Sequence, residues 1–265
     1  MNLHSTTPGG GKILVFEVPI RALGVPARRV WVYLPPGYDS SGLRYPTLYM
    51  QDGQNLFDPA TSYCGDWGVQ RLLDGLVAEG KTAGAVVVGV DHAGAERWCE
   101  YSPWHNAPMG RPGCGKVYAQ FLARELKPFI DANFRTLSGR EGAGVAGSSY
   151  GGIISLYCLL AHPDVFSRAA LFSPSFWSAG AGAEDLLAAA RLPPDTRVYL
   201  DVGRDEGDHG AEYVRDARHF SVLLRKKGLK QKFLLDEAGA HNEASWSARF
   251  PGAFLWLFEG GSRKK

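Results

Sequence analysis

"GAGVAGSSYGGIISLYCLLAHP", residues 142–163, joins two apolar segments through a cluster of glycines and two serines. The apolar residues before the serines are typical of a buried strand, and residues 153–161 predict a helix that is apolar on nearly every face. Residues 147–151 read G-S-S-Y-G and fit the G-x-S-x-G pattern of a nucleophile elbow. In that turn, between a strand and a helix, the central residue has a strained backbone conformation.

The spacing of the glycines favours one of the two serines. Side chains two positions before and after the central residue of such a turn would collide, so both positions require very small residues. Ser149 has Gly147 and Gly151 at these positions, whereas Ser148 has an alanine and a tyrosine. We therefore predict Ser149 as a nucleophile, the alternative being a plain glycine-rich connection.

Strand-like and helix-like segments alternate along the chain. The predicted strands are 12–20, 28–36, 45–53, 83–91, 142–147, 168–175, 196–203 and 231–239, and the predicted helices are 67–80, 117–134, one from about 150, 183–191, 211–227 and 243–259. This order predicts a single α/β domain over 1–265, with a mostly parallel eight-stranded sheet and helices on both faces. The first two strands should form an antiparallel hairpin at one edge, with flexible tails at 1–11 and 260–265.

Composition excludes several classes of protein. The 265 residues are 45% hydrophobic and carry a net charge of +2, so we expect an ordered core and no nucleic-acid partner. No apolar run approaches the roughly 18–20 residues of a membrane-spanning helix, and no secretory signal is evident, so we expect a cytoplasmic protein without a membrane partner. The four cysteines lack metal-ligand spacing, and we expect no metal and no cofactor. We expect reduced thiols, although a disulfide among Cys64, Cys99 and Cys114 stays open.

A nucleophilic serine needs a base, and four histidines follow Ser149 in the chain. His162 lies at a helix end, His209 in an acidic loop and His219 within a helix. His241 directly follows the last predicted strand, where catalytic groups of open parallel sheets gather. We predict His241 as the base, the alternative being a helix cap.

The orienting acid should follow the strand "VYLDVG" (198–203), because the order in this architecture is serine, acid, histidine. The next loop offers Asp205, Glu206 and Asp208. The residues alone do not separate Asp205 from Glu206. At least two of the three carboxylates belong to an ordinary solvated turn.

Two backbone N–H groups are candidates for an oxyanion hole. The N–H of Tyr150 lies in the first turn of the predicted helix, where the helix dipole favours negative charge. The second donor should come from the loop after the third strand, "MQDGQNLFD" (50–58), where Gly53 allows a turn and the N–H of Gln54 is our candidate.

Seven segments together resemble the Putative esterase family of the α/β-hydrolases: "YMQDGQNLFD", "GDWGV", "EYSPW", "ELKPFID", "VAGSSYGG", "YLDVGRDEG" and "GAHNEASW". This family includes esterase D-like enzymes, siderophore esterases, feruloyl and acetylxylan esterases, and mycolyltransferases. The resemblance spans about residues 12–259. It implies the α/β-hydrolase fold, prefers Glu206 over Asp205 as the acid, and supports Gln54 and His241. One departure is that the family's histidine is often followed soon by an aromatic residue, whereas here Asn242, Glu243 and Ala244 intervene before Trp246, which leaves the local pocket shape open.

Only about twenty residues lie between the sixth and seventh strands, which leaves no room for a large lid. We expect the walls of an open site to come from the loops 54–67, 91–116 and 174–180, whose aromatic residues suit sugars or aromatic acyl groups. Asp52, Trp67, Trp104 and Trp177 are our candidates for contact with the substrate.

The sequence thus predicts a serine hydrolase that cleaves small-molecule carboxylic esters through an acyl-enzyme with a Ser-His-Glu triad. Acylated sugars, aromatic acyl esters and siderophores are the substrate classes considered. An acyltransferase and an S-acyl glutathione thioesterase would use the same three residues, so both stay open. A non-catalytic binding protein on a hydrolase body is a third alternative.

Overall fold

Nine strands form one central sheet in the computed structural model of the chain, which describes residues 1–106 and 109–258. The strands of this sheet are β1 (Asn2–Thr6), β2 (Lys12–Val18), β3 (Arg28–Leu34), β4 (Thr47–Gln51), β5 (Val86–Val90), β8 (Ala143–Ser148), β9 (Arg168–Phe172), β10 (Arg197–Asp205) and β11 (Lys230–Ala240). Their spatial order is β1-β2-β3-β5-β4-β8-β9-β10-β11, and β6 (His105–Asn106) and β7 (Arg111–Pro112) form a separate two-stranded ribbon.

The helices are α1 (Val69–Ala78), α2 (Arg97–Glu100), α3 (Gly115–Phe121), α4 (Lys127–Asn133), α5 (Tyr150–Ala161), α6 (Gly182–Ala189), α7 (Gly210–Lys226) and α8 (Glu243–Phe258). A π-helical segment, Leu122–Leu126, joins α3 to α4. Within the described ranges, no helix has the length and apolar character needed to cross a membrane.

The predicted mostly parallel sheet is confirmed. The six strands from β5 to β11 in the spatial order are parallel to one another, and β2 and β3 form the expected antiparallel hairpin. Helices cover both faces, because buried side chains of α3 to α7 pack on one side of the sheet and those of α1 and α8 on the other. The chain thus has the layered arrangement of an α/β-hydrolase, and residues 1–106 and 109–258 include no large lid.

The N-terminal segment corrects two expectations. We expected a flexible tail over 1–11 and eight strands, but Asn2–Thr6 pairs antiparallel with β2 as a ninth strand at the edge of the sheet. The side chains of this strand are mostly exposed, and backbone hydrogen bonds to β2 hold it in place. The sequence "NLHST" did not predict a strand because it lacks the alternation of apolar residues that marks a half-buried strand. The other expected tail, 260–265, lies outside the described residues.

Parallel strands bring the functional candidates to one edge of the sheet. Ser149 follows β8 directly, Glu206 follows β10, and His241 follows β11. Because the carboxyl ends of parallel strands share an edge, three residues far apart in the sequence become neighbours. The fold therefore supplies a common location for the predicted nucleophile, acid and base.

Candidate active site

The turn at Ser149 has the geometry of the elbow that the glycines predict. Ser149 has φ 57° and ψ −125°, a conformation that non-glycine residues rarely adopt. A Cβ atom on Gly147 would lie 2.6 Å from both the carbonyl carbon and the oxygen of Gly151. Gly147 is therefore required by the close approach of the strand end to the first turn of α5.

Glu206 and His241 are in direct contact. The Nδ1 atom of His241 lies 2.5 Å from Oε2 of Glu206, whose side chain is fully buried. The other carboxylate oxygen accepts hydrogen bonds from the hydroxyl of Ser173 (2.6 Å) and the N–H of Gly203 (2.5 Å). Burial opposes the charged form, but the hydrogen bonds from His241, Ser173 and Gly203 outweigh it and hold the pKa of Glu206 below its usual value.

The competing carboxylates face solvent. Asp205 is exposed and accepts only a local hydrogen bond, from the N–H of Gly207 at 3.3 Å, within the part of the chain that the structure describes. Asp208 is also exposed. The geometry thus separates Glu206 from Asp205, which the residue pattern alone did not.

A network of buried hydrogen bonds supports Glu206 on the side away from His241's Nδ1 contact, through the carboxylate oxygen that Ser173 contacts. The sequence did not predict most of this network. The hydroxyl of Ser173 accepts hydrogen bonds from Nε1 of Trp246 and Nη2 of Arg249, both at 3.1 Å. Arg249 also donates to Asp201 (3.0 Å), where burial raises the carboxyl pKa to about 7 against the opposing charge of Arg249. Ser173 is therefore fixed as the donor that points at Glu206.

Trp246 supplies the aromatic contact with His241 although it lies further along the chain than the family pattern predicts. Its indole ring packs edge-on against the imidazole of His241, with ring centroids 5.0 Å apart. Trp246 lies in the first turn of α8, which brings the aromatic ring under the histidine despite the longer spacing. The departure from the family pattern thus leaves an aromatic contact with His241 in place.

Ser149 has two hydroxyl neighbours that the sequence did not suggest. Its Oγ lies 3.0 Å from the Oγ of Ser175, which in turn lies 2.9 Å from the hydroxyl of Tyr213. The N–H of Ser175 donates to the carbonyl of Ser149 (3.2 Å), and the ring of Tyr213 packs edge-on against His241. Within the described ranges, the Ser149 hydroxyl bonds to Ser175 and not to His241.

The two predicted oxyanion donors lie at the same edge. Tyr150 begins α5, and Gln54 lies in a short 3-10 turn, Gly53–Asn55. Neither backbone N–H donates a hydrogen bond to another group among residues 1–106 and 109–258. Both are thus free to donate to a bound oxygen atom, and their role stays a prediction.

The Asp52 carboxylate forms an ion pair with an arginine. It forms a two-pronged ion pair with Arg97, at 2.6 Å to Nε and 2.8 Å to Nη2, and its backbone N–H donates to the hydroxyl of Tyr101 (3.0 Å). Asp52 is 6% exposed. It therefore fixes α2 against the end of β4, and its predicted contact with the substrate has no support from this geometry.

The three tryptophans have different surroundings. Trp67 is 3% exposed and packs against Phe172 and Trp246, so its ring is part of the core and this geometry gives no support to its predicted contact with the substrate. Trp104 is half-buried and packs on Tyr157 of α5. Trp177 is 36% exposed and lies edge-on against Tyr150, the residue after the elbow serine, and therefore stays a candidate wall of the site.

Comparison with known proteins agrees with the fold. The family described as "Putative esterase" matches residues 26–257. The chain is 26% identical over 243 residues to the uncharacterized protein YbbA of Bacillus subtilis, covering 87% of this chain and 92% of YbbA. It is also 26% identical to an endo-1,4-beta-xylanase/feruloyl esterase of Xylanibacter ruminicola, covering 81% of this chain but only 27% of that protein.

A solved structure gives the same result for the fold. The enterobactin esterase FES from Shigella flexneri, solved with 2,3-di-hydroxy-N-benzoyl-glycine, is similar with a TM-score of 0.74 and 18% identity. The alignment covers 96% of this chain and 61% of that one.

We predict that Gly147→Ala lowers the free energy of unfolding by about 1–3 kcal/mol, because its Cβ would overlap the backbone of Gly151. Gly75→Ala is the matched control, since a Cβ there meets nothing within 4 Å and the residue lies inside α1, where alanine is about 0.5–1 kcal/mol better than glycine. Urea unfolding of both variants measures the difference. Equal stability of the two variants would show that the turn is not closely packed.

Proposed function

The chain belongs to the Putative esterase family and is a carboxylic ester hydrolase, and we propose that Ser149 forms its acyl-enzyme. The observation that carries the proposal is the Glu206–His241 hydrogen bond, made by residues that follow neighbouring strands at the edge where the elbow lies. Small-molecule esters are the substrates of this site.

In the proposed reaction, the Oγ of Ser149 attacks the ester carbonyl and its proton passes to His241. The carbonyl oxygen becomes an oxyanion that accepts hydrogen bonds from the N–H groups of Gln54 and Tyr150. The tetrahedral intermediate collapses, the C–O bond to the alcohol breaks, and His241 returns the proton to the alcohol. Water then repeats the sequence on the acyl-enzyme and releases the acid.

Glu206 orients the imidazole and stabilises its charged form. Because the pKa of Glu206 is depressed, the carboxylate is ionised at neutral pH and accepts the Nδ1–H of His241. That hydrogen bond leaves Nε2 as the atom that accepts the serine proton. Protonation of the imidazole then creates an ion pair with a buried, fully hydrogen-bonded carboxylate.

Ser175 and Tyr213 complete the surroundings of the nucleophile. We assign the Tyr213 hydroxyl as donor to Ser175 and the Ser175 hydroxyl as donor to Ser149, so that the serine proton remains available for His241. In this proposal the Ser149 hydroxyl turns from Ser175 to His241 when substrate binds. Catalytic hydrogen bonds are often long or unformed in ligand-free structures.

We further propose an ester of an aromatic acid as substrate. The exposed indole of Trp177 packs edge-on against the ring of Tyr150, the residue after Ser149, and we infer that the two rings form an aromatic wall of the site. Such surfaces pack well against aromatic acyl groups. Two similar proteins have aromatic compounds in their names or titles, a feruloyl esterase and an enterobactin esterase with a dihydroxybenzoyl ligand.

Ser149→Ala should lower kcat/KM for p-nitrophenyl acetate by at least about 1,000-fold, since the variant has no nucleophile. The matched control is Ser148→Ala, a serine of the same turn that precedes the strained residue; its activity should stay within a few-fold of the wild type. Labelling by a fluorophosphonate probe should disappear only in Ser149→Ala. Retention of wild-type turnover by Ser149→Ala would exclude the proposed acyl-enzyme.

Ser175→Ala should lower kcat about three- to tenfold with little change in KM, because one hydrogen bond that holds the nucleophile is worth about 1 kcal/mol. Tyr213→Phe should have a smaller effect of the same kind. Ser178→Ala is the control, since its hydroxyl bonds the carbonyl of Ser175 and not Ser149. A rise in kcat for Ser175→Ala would mean that Ser175 restrains the nucleophile instead of preparing it.

Trp177→Ala should reduce the preference for p-nitrophenyl benzoate over p-nitrophenyl acetate by about three- to tenfold, the loss expected for one aromatic contact. Phe129→Ala is the control, because Phe129 is similarly exposed (38%) but packs on Phe16 of β2. The ratio of the two kcat/KM values is the measurement. An unchanged ratio in Trp177→Ala would remove Trp177 from the acyl-binding wall.

A further inference from the structure

Two cysteines outside the catalytic residues face each other. Cys99 lies in α2 and Cys114 immediately precedes α3, and their sulfur atoms are 2.7 Å apart. The N–H of Cys114 donates to the carbonyl of Cys99 at 2.8 Å, which holds the two backbones side by side. Both residues are partly exposed, whereas Cys158 is buried and Cys64 is exposed without a neighbouring thiol in the described ranges.

The surrounding contacts keep the two cysteine backbones in register. The N–H of Gly113 donates to the carbonyl of Trp104, and that of Gly115 donates to the carbonyl of Ser102. A Cβ on Gly113 would lie 1.8 Å from the carbonyl oxygen of Ser102, so the two chain segments are in close contact beside the cysteines. The thiols therefore need little backbone movement to become bonded.

The same short helix connects the cysteines to the candidate site. Arg97 pairs with Asp52 at the end of β4, and Glu100 pairs with the buried Arg28 through two hydrogen bonds of 2.8 and 2.9 Å. Cys99 lies between Arg97 and Glu100 in α2. A covalent link at Cys99 would thus fix the helix that positions Asp52, two residues before the predicted oxyanion donor Gln54.

We propose that Cys99 and Cys114 form a reversible intramolecular disulfide that braces α2 against the start of α3. A small oxidised disulfide, such as oxidised glutathione, is the oxidant. The Cys99 thiolate attacks one of its sulfurs and releases one reduced thiol, and Cys114 then displaces the second. The two cysteines lose two protons and two electrons, and the small disulfide becomes two thiols. The proposal does not depend on the acyl-enzyme mechanism.

The test uses the 265-residue chain with Cys64→Ser, which removes the exposed thiol. The protein is treated with oxidised glutathione, denatured, alkylated and digested for mass spectrometry. We expect a linked peptide pair containing Cys99 and Cys114, two hydrogens fewer in the intact mass, and alkylation at Cys158 alone. Dithiothreitol should restore alkylation of both cysteines.

Thermal unfolding supplies a second measurement. The bridge spans 15 positions in the sequence, and closing a loop of this size should raise the melting temperature by about 5 °C or more in the oxidised protein. The double variants Cys64→Ser/Cys99→Ser and Cys64→Ser/Cys114→Ser are matched controls whose melting temperature should not rise with oxidant.

Separate glutathione adducts on Cys99 and Cys114, or alkylation of both after oxidation, would overturn the proposal. A bridge to Cys158 would overturn it as well. Peptide mapping of the wild-type chain needs no variant, so a folding defect in a serine variant does not affect the decision.

Discussion

The strained backbone at Ser149 is the constraint on which the arrangement of the site depends. A positive φ at a non-glycine residue costs about 1–3 kcal/mol, so it persists only where the surroundings determine it. Here β8 is hydrogen-bonded on both sides within the sheet, and α5 is buried along most of its length. Gly147 permits the close approach of these two elements, whose packing holds Ser149 in this conformation.

The second requirement is a carboxylate that stays charged inside the protein. Burial alone would raise the pKa of Glu206, yet three donors lower it: the imidazole of His241, the Ser173 hydroxyl and the Gly203 N–H. Trp246 and Arg249 both donate to the Ser173 oxygen, so the Ser173 hydroxyl proton is directed at Glu206. The buried Arg249 therefore influences the candidate site indirectly. It is held by Asp201 and donates to the Ser173 hydroxyl, which in turn donates to Glu206.

The residue pattern predicts those parts of the structure that follow local rules. The elbow depends on residues within two positions of Ser149, and His241 follows from its place after the last strand, so the amino-acid sequence alone suffices to propose both. The residue pattern does not decide whether Glu206 or Asp205 is the acid; the resemblance favours Glu206, and the structure shows that Glu206 is buried and contacts His241. The burial of Glu206 depends on strands that are far apart in the chain, so the local sequence does not reveal it. Spacing assigns these residues their roles, and the structure shows the contact between Glu206 and His241.

Contacts between distant segments explain what the pattern could not reveal. Ser175 and Tyr213 are 38 positions apart and meet only because a loop after β9 faces the first turn of α7. The edge strand β1 is held by backbone hydrogen bonds and has no apolar periodicity. Trp67 has the same aromatic character as a substrate platform, and only packing against Trp246 shows that it belongs to the core.

Backbone strain marks the candidate site independently of any motif. Among the described residues, three non-glycine residues have positive φ: Asp52, Ser149 and Ser173. Each directly follows a parallel strand, β4, β8 or β9, and these strands are consecutive in the sheet. Each also has a distinct assignment: Asp52 anchors Arg97 beside the predicted oxyanion donor, Ser149 is the proposed nucleophile, and Ser173 donates to Glu206. Because such conformations persist where function or packing requires them, their concentration at one edge supports placing the chemistry there.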